Sequence, residues 1–182
     1  FGYKDVAPNC LMVSFAGMPY IDLRTDFNSF MPAKLPEKIQ KKAINYYLNS
    51  LRKNPSNHDK IEFNTIETCF DLDTYRNLRT FLNKKDSEIY SRYLKEITNN
   101  VIDKKNNILL KEKSKIDSLL FKIENIKKSN LSEIQKIFFL VNDCKKYGTL
   151  AFAGIARVAF IYTKILKKLV NKEILSKKDF IL

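Results

Sequence analysis

Asp86-Ser87-Glu88-Ile89-Tyr90-Ser91-Arg92-Tyr93-Leu94-Lys95-Glu96-Ile97 is the stretch whose reading decides the fold. Its apolar residues, Ile89, Tyr90, Tyr93, Leu94 and Ile97, recur three and four positions apart, the period of one face of an α-helix. Asp86 or Ser87 has the side chain to cap its start. The same period continues toward the C-terminus. Ile116, Leu119, Leu120, Ile123 and Ile126 form one stripe, and Ile134, Ile137, Phe138 and Val141 form the next. Asn130 and Glu133 have the spacing of a capping box, and Gly148 predicts a helix stop. The segment Thr149 to Thr163 holds Leu150, Phe152, Ile155, Val158, Phe160 and Ile161. It reads as a buried core helix and not as a membrane span. It is shorter than the about 20 apolar residues a span needs, contains Arg157, and runs into Lys164, Lys167 and Lys168. Ser176 is placed to cap a last helix.

Toward the N-terminus the character changes. All five prolines lie at or before Pro55. Pro36 suits the first turn of a helix carrying Ile39, Ala43, Tyr47, Leu48 and Leu51, which Asn54-Pro55 ends. Leu11 to Phe15, then Ala16-Gly17-Met18-Pro19, then Tyr20 to Arg24 read as a β-hairpin, with a third strand expected over Lys60 to Thr65. The expected class is mostly α with a small antiparallel β element, a hairpin plus one strand near the N-terminus, formally α+β. One domain is expected over 1–182, with a β-containing subregion 1–70 and a helical subregion 71–182.

The chain has 33 Lys and Arg against 20 Asp and Glu, a net charge of +13. Only Arg24, Arg52, Arg76, Arg79, Arg92 and Arg157 are arginines. The rest is dispersed Lys, which reads as a solvated surface and not as a nucleic-acid interface, since phosphate and base readers favour the planar guanidinium. Cys10, Cys69 and Cys144 have no metal-type spacing and read as buried thiols in a reducing compartment. The single histidine, His58, excludes a multi-histidine metal site within the chain, and no metal site is expected. The chain opens on Phe1 with no leader pattern and reads as an internal segment of a longer cytoplasmic protein with no membrane partner.

No glycine-rich phosphate loop, nucleophile elbow or kinase signature is present. The richest polar cluster is Tyr20-Ile21-Asp22-Leu23-Arg24-Thr25-Asp26-Phe27-Asn28-Ser29-Phe30. On a strand, Asp22 and Arg24 would share a face with Tyr20. A carboxylate beside a guanidinium can hold the ammonium and carboxylate of an amino acid, or the two can simply pair with each other. Asn28 and Ser29 follow in the next turn. Arg157 needs a partner inside its apolar segment, either an acidic side chain or a bound anion.

Phe1-Gly2-Tyr3-Lys4-Asp5-Val6-Ala7-Pro8, Phe15-Ala16-Gly17-Met18-Pro19-Tyr20-Ile21-Asp22-Leu23-Arg24 and Phe27-Asn28-Ser29-Phe30-Met31-Pro32 carry a resemblance, extended by His58-Asp59-Lys60-Ile61-Glu62-Phe63 and Gly148-Thr149-Leu150-Ala151-Phe152-Ala153. They resemble the middle region of enzymes related to phosphoenolpyruvate synthase and pyruvate phosphate dikinase, and within them the L-glutamine kinases of capsular phosphoramidate synthesis. The resemblance implies a three-part machine. An ATP-grasp domain uses ATP and Mg2+, a swivelling domain carries phosphate on a histidine, and a third region presents the acceptor. This chain would be the acceptor region, binding L-glutamine through Asp22, Arg24, Asn28, Ser29, Tyr20 and Arg157. It would hold no catalytic residue and be inactive by itself. The implied reaction turns ATP, L-glutamine and water into AMP, phosphate and amide-phosphorylated glutamine. The competing expectations are a docking or spacer module between the other two domains, or a basic nucleic-acid-binding helical domain.

Overall fold

The computed structural model describes residues 1–103, 105 and 108–180. They form a mostly helical protein with one two-stranded antiparallel sheet near the N-terminus. Strands β1 (Met12–Phe15) and β2 (Met18–Ile21) pair with Phe15 opposite Met18 and Met12 opposite Ile21. The two-residue turn between them puts Ala16 and Gly17 at φ 51° and 80°. Two left-handed residues match the turn to the twist of the strands it joins. The hairpin is uncovered: Leu11, Met12, Phe15, Met18, Tyr20 and Ile21 are all exposed.

Helices α1 (Leu23–Ser29), α2 (Glu37–Lys53), α3 (Ile61–Asn64), α4 (Thr74–Leu78) and α5 (Lys84–Ile102) follow. The core is built from Phe27, Met31, Ile39, Tyr47, Ile61, Ile66, Leu78, Tyr90 and Leu94, with others around them. These residues come from both sides of position 70. Contacts group Phe1–Ile102 with Thr163–Leu182 in one compact unit and Asp103–Tyr162 in a second.

In the first unit the N-terminal segment lies along the end of α1. The Lys4 N–H donates to the Met31 carbonyl at 2.7 Å, and the Ala33 N–H donates to the Gly2 carbonyl at 2.8 Å. The expected third strand is instead helical. The N–H groups of Phe63 and Asn64 donate to the Lys60 carbonyl at 3.1 and 3.0 Å, closing α3 after a 3-10 turn at Pro55–Asn57. Alternation over so few residues fits one helical turn as well as a strand, and local hydrogen bonds decide it. Helix α5 begins at Lys84, capped by Asn83 and not by Asp86 or Ser87. The Asn83 side chain accepts from the Asp86 N–H at 2.8 Å.

The second unit holds α6 (Ile108–Lys128), α7 (Glu133–Asp143), a π-helical turn at Cys144–Thr149, and the first part of α8 (Leu150–Asn171). Ser132, not Asn130, caps α7. It forms a capping box with Gln135, which puts the acceptor right beside the first helical residue. The helix does not stop at Gly148. That residue sits inside the π-turn, where an added Cβ would meet Leu119 Cδ2 at 3.2 Å, so its small size serves packing and not a left-handed cap. Glu133–Asn171 is thus one helical run, long and apolar enough by composition to cross a membrane. The expected core helix buries one face only: Ala151, Gly154, Val158 and Ile161 are covered, while Phe152 is exposed. Gly154 permits the closest approach. A Cβ there would lie 2.7 Å from Cδ of the buried Glu112, which also pairs with Lys115.

Of the three thiols only Cys69 is buried; Cys10 and Cys144 are exposed, against expectation. Burial pushes the Cys69 thiol from 9.0 up to about 11. The folded chain holds that proton to higher pH than the unfolded chain, so stability falls as pH rises from about 9 to about 11. Urea midpoints measured across this window should drop in the parent protein and drop less in Cys69→Ala.

Candidate functional site

Two places in the first unit gather polar chemistry. The first lies where the hairpin enters α1. Strand β2 ends at Ile21, so Asp22 does not project from a strand face beside Arg24. It is the N-cap of α1, accepting from the Arg24 and Thr25 N–H groups at 2.9 and 3.2 Å and from the Thr25 hydroxyl at 3.0 Å. Hydrogen bonds from the Thr25 N–H and hydroxyl hold the Asp22 carboxyl below the usual carboxylate range. An acceptor side chain at the strand-to-helix junction satisfies helix N–H groups that would otherwise be open, and this takes precedence over pairing with Arg24.

Arg24 is exposed on the first turn of α1, and Asn28 stands one turn on. The Asn28 amide donates to the Arg24 carbonyl at 2.8 Å. Its oxygen accepts from the Lys4 ammonium at 3.4 Å, and the same ammonium donates to the buried Gln40 side chain at 3.0 Å. Lys4 is thus held by two neutral amides. Asn28 thus links the Lys4 ammonium to the Arg24 backbone carbonyl, and the cation placed beside it is Lys4, a group suited to carboxylate or phosphoryl oxygens. Ser29 is the last residue of α1. Tyr20 lies on β2 with its ring edge-on to Phe15 at 5.5 Å. Arg157 is half-buried on α8 and belongs to the second unit. His58 is exposed, with Nδ1 3.1 Å from the Pro55 carbonyl.

The second place is the irregular segment between α3 and α4. Glu67 and Asp71 are buried there. Lys164 of α8 donates to Glu67 Oε2 at 2.7 Å and lies 4.0 Å from Asp71 Oδ2. Burial is the largest single influence and would lower the Lys164 pKa, but Glu67, Cys69 and Asp71 together outweigh it and the net shift is upward. Asn77 donates to Glu67 Oε1 at 2.8 Å, and Lys168 pairs with Asp73 at 2.6 Å. Beside Glu67 is a cavity of about 290 Å³ walled by Ser50, Asn64, Thr65, Asn77 and Thr80, with the Tyr46 and Phe81 rings stacked at 4.1 Å. Its walls carry hydroxyls, amides and one carboxylate but no cation, so it suits a neutral polar group and rejects an anion. Among the described residues, no group of three or more His, Cys, Asp or Glu is placed to hold a metal ion.

Of the residues at these two places, Arg24 and Asn28 were candidates from the sequence, and Lys4, Gln40, Glu67, Asp71 and Lys164 were not. Lys4 lies inside a recognisable block and was open to notice. Nothing local ties Glu67 to a lysine 97 positions away. Comparison with family models, curated proteins and solved structures returns no match.

Removing one partner from a buried ion pair leaves the other charge uncompensated. Lys164→Met should therefore destabilise the first unit by about 3–5 kcal/mol. Adding Glu67→Gln to it should restore part of that loss. Chemical denaturation of the single and double variants reads both.

Proposed function

We propose that this chain is the acceptor-substrate region of a phosphohistidine-relay kinase that phosphorylates the side-chain amide of L-glutamine. One observation supports the reading above the rest. Lys4, Asn28 and Arg24, joined by Asn28 through the Lys4 ammonium and the Arg24 backbone carbonyl, all fall within the blocks that resemble that family. In this reading Lys4 and Arg24 receive the glutamine carboxylate. Asp22 Oδ2, ionised and bonded only to the Thr25 hydroxyl, faces the ammonium. Asn28 orients the bound amino acid, with Ser29 and Tyr20 at its border. Positioning and electrostatic stabilisation together supply most of the barrier reduction in phosphoryl transfer, so a region with no nucleophile or base of its own can still govern rate. ATP and Mg2+ would be held by the ATP-grasp part of such an enzyme, since this chain has no glycine-rich loop.

The uncovered hairpin favours a second role alongside it. Met12, Phe15, Met18 and Ile21 present apolar side chains to solvent from both strands. That is the surface a docking module between moving domains would carry.

A charge-assisted hydrogen bond contributes about 1.5–3 kcal/mol, or roughly 10–100-fold in affinity. In the full-length enzyme, Arg24→Ala and Lys4→Ala should each raise the glutamine KM by about tenfold or more while the KM for ATP stays unchanged. Unchanged glutamine kinetics in both variants would sink the acceptor reading and leave the docking role.

A further inference from the structure

Helix α7 turns its apolar side outward. Lys136, Leu140 and Asp143 are its half-buried residues. Ile134, Ile137, Phe138 and Val141 are 81, 61, 63 and 48% exposed. Their spacing places all four on one stripe along the helix. The stripe is also symmetric about its midpoint, between Ile137 and Phe138: Ile134 and Val141 stand equally far from it on either side.

We infer that α7 is a self-association surface, on which a second copy of this chain packs its own α7 antiparallel across a two-fold axis. A two-fold interface must be self-complementary, and a stripe symmetric about its centre meets that condition. Ile137 then meets the partner's Phe138, and Ile134 meets the partner's Val141. The charges agree with this direction. Glu133, paired with Lys136 of its own helix at 3.1 Å, still stands exposed at the start of the helix, and Lys145 and Lys146 stand exposed just past its end. Antiparallel pairing brings Glu133 toward the partner's Lys145, whereas parallel pairing sets like charges side by side.

The area sets the strength. Four side chains with these exposures present on the order of 400 Å² of apolar surface per copy, about half of what each partner buries in a standard interface. The association is therefore weak and reversible, and it is seen only as concentration rises.

Sedimentation equilibrium of the full chain over a wide concentration range tests this. Reversible dimer formation is expected, abolished by Phe138→Glu and by Ile137→Glu and retained in Phe15→Glu on the hairpin. Because α7 side chains are exposed, circular dichroism should show all three variants folded. With Cys10 and Cys144 replaced by serine, Phe138→Cys should form a disulfide-linked dimer on oxidation. A protein that stays monomeric at every concentration would overturn the inference. So would a dimer that survives Phe138→Glu but not Phe15→Glu. A monomer that instead sediments with phosphatidylserine vesicles, and is released by Phe138→Glu, would assign the stripe to a lipid surface.

Discussion

The first unit depends on one buried charge pair, Lys164 with Glu67. Each ion alone would carry a desolvation penalty of several kcal/mol, so neither can be buried without the other. The pair fixes where α8 meets the irregular segment 65–73, and that segment is in turn held by side chains from several elements. The Tyr47 hydroxyl accepts from the Glu67 N–H, Thr98 accepts from the Phe70 N–H, and the Tyr3 hydroxyl donates to the Thr68 carbonyl. A backbone stretch with no helix or strand of its own is thus satisfied partly by groups borrowed from elsewhere and partly by its own Asp71 and the Thr74 that follows it. Lys168 with Asp73 repeats the arrangement one helical turn on, at a more exposed position.

Helices that bury a stripe were legible because their period is set by geometry that the sequence must follow. Ile39, Ala43, Tyr47 and Leu51 read as one face, and they form it in α2. The ends of helices were less legible. Asn83 competes with Asp86, and Ser132 with Asn130, within a few residues of one another, so backbone geometry chooses among similar side chains. Asp22 failed for a related reason. Alternation from Tyr20 to Arg24 suggests a strand, but an Asp followed by Thr25 is also a helix start, and open N–H groups settle it. The partnership of Glu67 and Lys164 left no sequence signal, because contact across such a separation comes from packing and not from period.

Two polar places in one unit would compete as sites if charge did not separate them. The cavity beside Glu67 has the better enclosure but lacks a cation. The place around Lys4 and Asn28 holds one positive charge positioned by two neutral amides, with Arg24 exposed one turn away along α1. A cation suits a carboxylate or phosphoryl group, and the cavity walls suit a hydroxyl or amide. Arg24 and Asn28 were legible as polar residues of one stretch, but nothing in the sequence brought Lys4 to them. The cavity is made by residues from α2, α3, α4 and the turns after them, and no local pattern announces it.

The π-turn at Cys144–Thr149 amounts to one extra residue wound into an otherwise continuous helix. It therefore acts as a phase compensator. Each α-helical residue advances the side-chain direction by about 100°, and the wider π-turn takes up its extra residue without passing that rotation on. Losing one residue from the turn would restore ordinary winding and leave Ala151, Gly154, Val158 and Ile161 facing nearly as they do. Losing one residue from the α-helical winding of Glu133–Asp143 would instead turn whatever follows by about 100°. A change of length is thus tolerated at this turn and not in the regular helix beside it.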